Sequence, residues 1–235
     1  MRKVLVVLLL LAVVGVVAAD RIGVRIAEDR IAQEVAAQTE LTRQPDVTIH
    51  GIPFLTQVVG GEYDHIEIAI GDWTEQGVTV TDVRVDMRGV AAPLSEVAGG
   101  NTANVTARTA TVSAVVPYSV IQKNAPREVK KLSPQGPNLA VDLEGSLLGF
   151  RLAGSGVVEL KPTDGGIAVS PVSVKSDGGP QIPLAALKRQ LTWTVQVPAL
   201  PLGAKISEVR ATEGGVRVGA TAQNVKLNDL QQVQK

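Results

Sequence analysis

The chain contains no cysteine. That excludes a disulfide staple, a thiol nucleophile, thiolate metal sites and a lipidated cysteine anchor. Aromatic residues make up 3% of the sequence, so the interior must be filled by Val, Leu, Ile and Ala, and stacking platforms for bases are lacking. Charge of one sign is also missing. Lys plus Arg and Asp plus Glu number 23 each, which leaves no basic patch and no long-range field, so nucleic acid is not an expected partner. No GxSxG elbow, SxxK, P-loop or GxGxxG fingerprint occurs, and Gly154-Ser155-Gly156 lacks the elbow's spacing. The two histidines, His50 and His65, stand fifteen positions apart with no HxH or HExxH spacing. No catalytic residue, metal site or cofactor is expected from this text.

What is present begins with an address. Arg2 and Lys3 precede an apolar run from Val4 to Ala19, short of the ~20 residues of a usual spanning helix and ending in Val17-Ala18-Ala19. Residues 1–19 therefore read as a signal peptide or, left uncleaved, a signal anchor with its positive end inside. Residues 20–235 read as one exported domain. With hydrophobic residues at 45% and charged residues at 20%, that part is a packed globular chain.

Residues 20–41 predict one amphipathic helix, with Val24, Ala27, Ile31 and Val35 at helical spacing and a mixed-charge opposite face. The stretch 47–70, VTIHGIPFLTQVVGGEYDHIEIAI, is the most informative. It predicts a short strand at Val47 and Ile49, a turn at Gly51 and Pro53, an apolar helical turn through Phe54, Leu55, Val58 and Val59, and an alternating strand ending at Ile70. Beyond it most of the chain alternates. Val83, Val85 and Met87, then Val141 and Leu143, have polar neighbours on the other face, the pattern of an antiparallel sheet that is wet on one side. Gly71-Asp72, Gly99-Gly100-Asn101 and Asp177-Gly178-Gly179 read as turns, and Leu132 to Pro137 reads as a loop. Thr-Asp-Gly-Gly at 163–166 and Thr-Glu-Gly-Gly at 212–215 look like two hairpins of one kind. Short helices are expected after Pro117 and over Leu184 to Leu191, followed by a strand from Trp193 to Val197.

The string GIPFLTQVVGGEYDHIEI resembles the start of a family of actinobacterial cell-envelope proteins that includes the mycobacterial lipomannan elongation factor. VTVTDVRVDMRGVAAPL at 78–94, VPYSVIQ at 116–122 and VPALPLGAKISEVRATEGGVRVGATAQNVKL at 197–227 extend the resemblance over nearly the whole exported part. It implies an α+β fold: a long N-terminal helix on a curved, mostly antiparallel sheet, in the tubular lipid-binding manner of the bactericidal permeability-increasing protein. It further implies phospholipid or phosphoinositide in an apolar groove, at the outer face of the plasma membrane, in support of envelope glycolipid assembly.

On that reading the groove is lined by Ile31 and Val35 of the long helix and by Phe54, Leu55 and Val58 of the apolar turn. Strand residues Ile66, Ile68, Val83, Val85, Leu143 and Leu147 join them, with Leu184, Leu187, Leu191 and Trp193 further on. Arg43, His50, Arg84 and Arg88 are the cations available for a head group. The alternative is a structural or protein-interaction module of the envelope whose core is closed, with no slot for lipid.

Overall fold

The structure is a computed structural model that describes residues 2–38, 41, 43–75, 77–93, 104–147, 150–163, 166–177, 184–197, 200 and 203–229. It has the α+β composition expected. Among the described residues, helices α1 (Arg2–Gln38), α2 (Phe54–Gly60), α3 (Tyr118–Lys123) and α4 (Leu184–Leu191) interrupt eleven strands. These are β1 (Asp46–His50), β2 (Glu62–Glu75), β3 (Val78–Ala91), β4 (Thr106–Val116), β5 (Val129–Gln135), β6 (Asn138–Leu147), β7 (Phe150–Thr163), β8 (Gly166–Ser176), β9 (Trp193–Gln196), β10 (Lys205–Thr212) and β11 (Gly215–Lys226).

Where one sheet was expected, the described residues form two. One runs β1-β2-β3-β4-β11-β10 and the other β5-β6-β7-β8-β9. Every neighbouring pair of the second sheet is antiparallel, as are β1 with β2 and β10 with β11. The chain divides into two compact units, Met1–Ile70 with Arg84–Thr111 and Ala222–Lys235, and Gly71–Val83 with Val112–Thr221.

In the first unit, α1 packs against β1 and α2. Its apolar run and its amphipathic part form one unbroken helix, about 55 Å long at 1.5 Å per residue. β1 is an edge strand, and Glu28 of α1 accepts a hydrogen bond from its Ile49 N–H at 2.8 Å, so the helix satisfies part of the open edge. Helix α2 stops at Gly61, which takes a left-handed φ of 67° and turns its N–H back onto the last carbonyls. The Ile52–Pro53 bond leading into α2 is cis.

In the second unit, Leu139, Val141, Leu143, Val158 and Val169 of β6–β8 are joined by Ile121, Val129, Leu132, Leu191, Trp193, Ala211 and Val216 in one buried cluster. Strand β10 packs over β5, β6 and β7, and the Ala211 N–H donates to the Pro137 carbonyl at 3.2 Å. The two glycine-rich hairpins are alike in detail. The Thr163 hydroxyl donates to the Gly166 carbonyl at 3.0 Å, and the Thr212 hydroxyl to the Gly215 carbonyl at 2.8 Å. Gly166 and Gly215 have φ of 148° and 156°, and a Cβ on either would sit 2.2 Å from a carbonyl oxygen, that of Val195 or Val116. Only glycine fits there.

Two expectations from the sequence are corrected. The segment 132–135 is strand, not loop: it belongs to β5, and the turn is confined to Gly136 and Pro137. β5 is an edge strand, where Pro134 can pair without a donor N–H. Gly71 and Asp72 make no turn either. They lie inside β2, where Gly71 takes a φ of 84°, and the strand continues to Glu75. The glycine pairs at 99–100 and 178–179 lie outside the described residues.

Candidate functional site

The first ionisable side chain after the apolar run organises the start of the first unit. Asp20 is buried, and its carboxylate accepts the Leu55 N–H at 2.8 Å and the Arg21 guanidinium at 2.5 Å. Leu55 lies in the first turn of α2, where backbone N–H groups have no partner within the helix, and no side chain of α2's own flank caps it. Asp20 therefore caps α2 from another helix. Phe54 completes the joint: it is buried, packs over Gly23, and lies 6.3 Å from the Tyr63 ring.

Around this joint the aliphatic side chains face outward. Ile22, Ile26, Leu55, Ile52 and Val59 are all exposed, the last two at 81% and 82%. They continue a surface that begins upstream, since Val4 to Val17 of α1 are exposed as well. Helix α1 is long and apolar enough, by length and composition, to cross a membrane. An apolar surface of this kind is unfavourable in water and favourable in the boundary layer of a bilayer.

The expected groove residues separate into several groups. Phe54, Ile66, Ile68 and Val83 are buried, Ile31, Val35, Val58 and Val85 are half-buried, and Leu55 is exposed. Leu143, Leu191 and Trp193 are brought together in the buried cluster of the second unit. Leu147, Leu184 and Leu187 lie on β6 and α4 as expected, but their side chains are outside what is described. Trp193 stands apart chemically: its indole Nε1 is buried and has no hydrogen-bond partner among the described residues. A buried donor of this sort carries a desolvation cost of about 1–3 kcal/mol until an acceptor meets it.

Two polar features were not legible in the sequence. A cavity of about 370 Å³ lies between α1 and the start of β1, lined by Arg25, Glu28, Asp29, Ala32, Gln44, Pro45, Asp46 and Val47. Its charged walls suit water or a hydroxylated group rather than hydrocarbon. The second feature is the approach of the two histidines. β1 and β2 pair so that His50 faces His65, an alignment hidden by the helix inserted between the strands. Of the head-group cations, Arg84 pairs with Glu67 at 3.2 Å and Arg88 lies 3.7 Å from Asp86, while Arg43 is exposed. Elsewhere, burial lifts the phenols of Tyr63 and Tyr118 above their usual value of 10. The Tyr118 hydroxyl donates to the Thr212 carbonyl at 2.5 Å.

The chain matches the LmeA-like phospholipid-binding family model over residues 18–221. No curated protein and no solved structure matches the chain.

Proposed function

Because the chain belongs to the LmeA-like phospholipid-binding family, and so has a lipid-binding role, we propose that it takes up phospholipid at the outer face of the plasma membrane. The family match is the observation that carries this reading. In the structure, the outward-facing aliphatic side chains at the α1–α2 joint support it. The apolar run of α1 reaches the bilayer as an export signal or a retained anchor, and the α2 turn follows it directly because Asp20 ties the two helices together. Ile52, Leu55 and Val59 then enter the head-group layer, and Ile31, Val35 and Val58 offer half-buried aliphatic contacts for acyl chains. Each methylene transferred from water contributes about 0.8 kcal/mol, so two chains hold a lipid without any catalytic group.

Residues 20–235 form one lipid-binding domain on this view, and the orphan indole N–H of Trp193 supports a place beside a lipid ester oxygen for Leu143, Leu191 and Trp193. Delivery of the lipid to assembly of envelope glycolipids of the lipomannan type follows from the resemblance described above. No catalytic step is assigned to the chain.

A second reading, a structural module with a closed core, is favoured by the complete burial of Leu139, Val169 and Val216. Mass spectrometry of the full chain, purified in mild detergent and washed free of bulk lipid, separates the two. The lipid-binding reading expects about one phospholipid retained per chain, and loss of it in Val58→Asp, at a half-buried acyl contact, with the circular dichroism spectrum unchanged. Protein that carries no lipid supports the closed core instead.

A further inference from the structure

The chain holds two histidines in all, and the fold stacks them on each other. Their ring centroids are 4.3 Å apart with the planes 10° from parallel. Glu67 stands two residues beyond His65 on β2, so the side chains of both leave the same face of the strand. One donor atom each from His50, His65 and Glu67 falls within 4.8 Å of the others.

The surrounding bonds leave these donors available. Glu67 Oε1 is held by Arg84 at 3.2 Å, which leaves Oε2 turned toward His50. The His50–Glu67 separation of 3.7 Å is too long for a hydrogen bond and pairs the two only when His50 is protonated, so a neutral His50 keeps its ring nitrogen for an ion. His65 Nε2 lies 2.6 Å from Asp86 Oδ1. A carboxylate can only accept, so Nε2 carries the proton and Nδ1 of the neutral ring carries a lone pair. A carboxylate behind a ligating imidazole is the arrangement that orients such rings and strengthens them as donors.

We propose that His50, His65 and Glu67 bind a zinc-like divalent transition-metal ion, with Asp86 and Arg84 as positioning residues for His65 and Glu67. Two imidazoles and one carboxylate suit zinc and its neighbours, whereas magnesium and calcium prefer all-oxygen shells. The His50 side chain is 45% exposed, which lets solvent complete the coordination and lets the ring swing toward an ion about 2.0–2.2 Å from each donor. A bound ion would cross-link the edge strand β1 to β2 where Gln57 of α2 reaches both, donating to the His50 carbonyl at 3.2 Å and accepting the Asp64 N–H at 2.9 Å. Occupancy would thus stiffen the seat of α2. This site does not depend on the lipid reading.

The test is calorimetric titration of zinc chloride into the full chain in detergent micelles, without a histidine tag and in metal-free buffer. One ion per chain is expected. His50→Ala and His65→Ala should each weaken binding at least tenfold, Asp86→Asn should weaken it less, and hundredfold excess magnesium should not compete. With two histidines in the protein, the imidazole C–H resonances give a second readout: both should move on zinc addition, with no response to magnesium. His50 sits at an exposed edge position, so its variant should keep the native circular dichroism spectrum even if the His65 variant unfolds. No zinc binding, or unchanged affinity in His50→Ala, overturns the proposal.

Discussion

The second unit and the α1–α2 joint treat the same kinds of side chain in opposite ways. Leu139, Val169 and Val216 have no accessible surface, while Ile52 and Val59 are more than 80% exposed. Equal hydrophobicity therefore serves two purposes. In the β6–β8 cluster it is spent on cohesion, with buried aliphatic groups packed on one another. At the joint, cohesion rests on a carboxylate cap and one buried ring, and the aliphatic groups are left free for another apolar phase. The comparison predicts that substitutions in the two places change different observables.

The largest effect should come from Gly215→Ala. Its Cβ would meet the Val116 carbonyl at 2.2 Å in a backbone conformation that side chains rarely adopt, so a loss on the order of 4 kcal/mol is expected by denaturant unfolding. A variant of unchanged midpoint would refute the close approach. Next, Leu139→Ala should cost about 2–5 kcal/mol, and Ile52→Ala should stay within about 0.5 kcal/mol. Similar losses for the two would erase the contrast drawn here.

A smaller effect follows from the buried phenols. Burial raises the folded-state values of Tyr63 and Tyr118 above that of the unfolded chain. Their contribution is then fully present below about pH 10 and lost as pH rises through the raised values. Unfolding midpoints measured from pH 8 to 12 should be level at first and fall beyond 10, and Tyr118→Phe should flatten the fall. The least effect on stability belongs to Val59→Cys, which in this cysteine-free chain gives a unique labelling site. A fluorophore there should be quenched by brominated phospholipid in vesicles, with folding unchanged. A label that brominated lipid leaves bright would place α2 in water.

Much of this was legible from periodicity and punctuation. Phe54 to Val59 gave α2, the Pro117 start gave α3, and the Thr-x-Gly-Gly strings gave two matching hairpins. What was hidden depended on pairing. Pro134 signals a loop until its strand is known to be an edge, and Gly71 signals a turn until β2 is seen to run through it. His50 and His65 have no metal spacing in sequence and become neighbours only through the β1–β2 register. Alternation found Ile66, Ile68, Leu143 and Trp193 as inward-facing, because burial sets that pattern. It could not tell a packed wall from a lining wall, since both use the same residues. Leu55 shows the limit: its helical phase matches Phe54's neighbourhood, yet its side chain points outward.

Asp20 also fixes the position of α2 along α1. If the apolar run is retained as an anchor, as in the membrane reading proposed above, its length would set how far α1 sinks, and the bond from the Asp20 carboxylate to Leu55 would carry that setting over to α2. Splicing one extra turn of leucines ahead of Asp20 would raise the α2 tip about 5.4 Å away from the hydrocarbon.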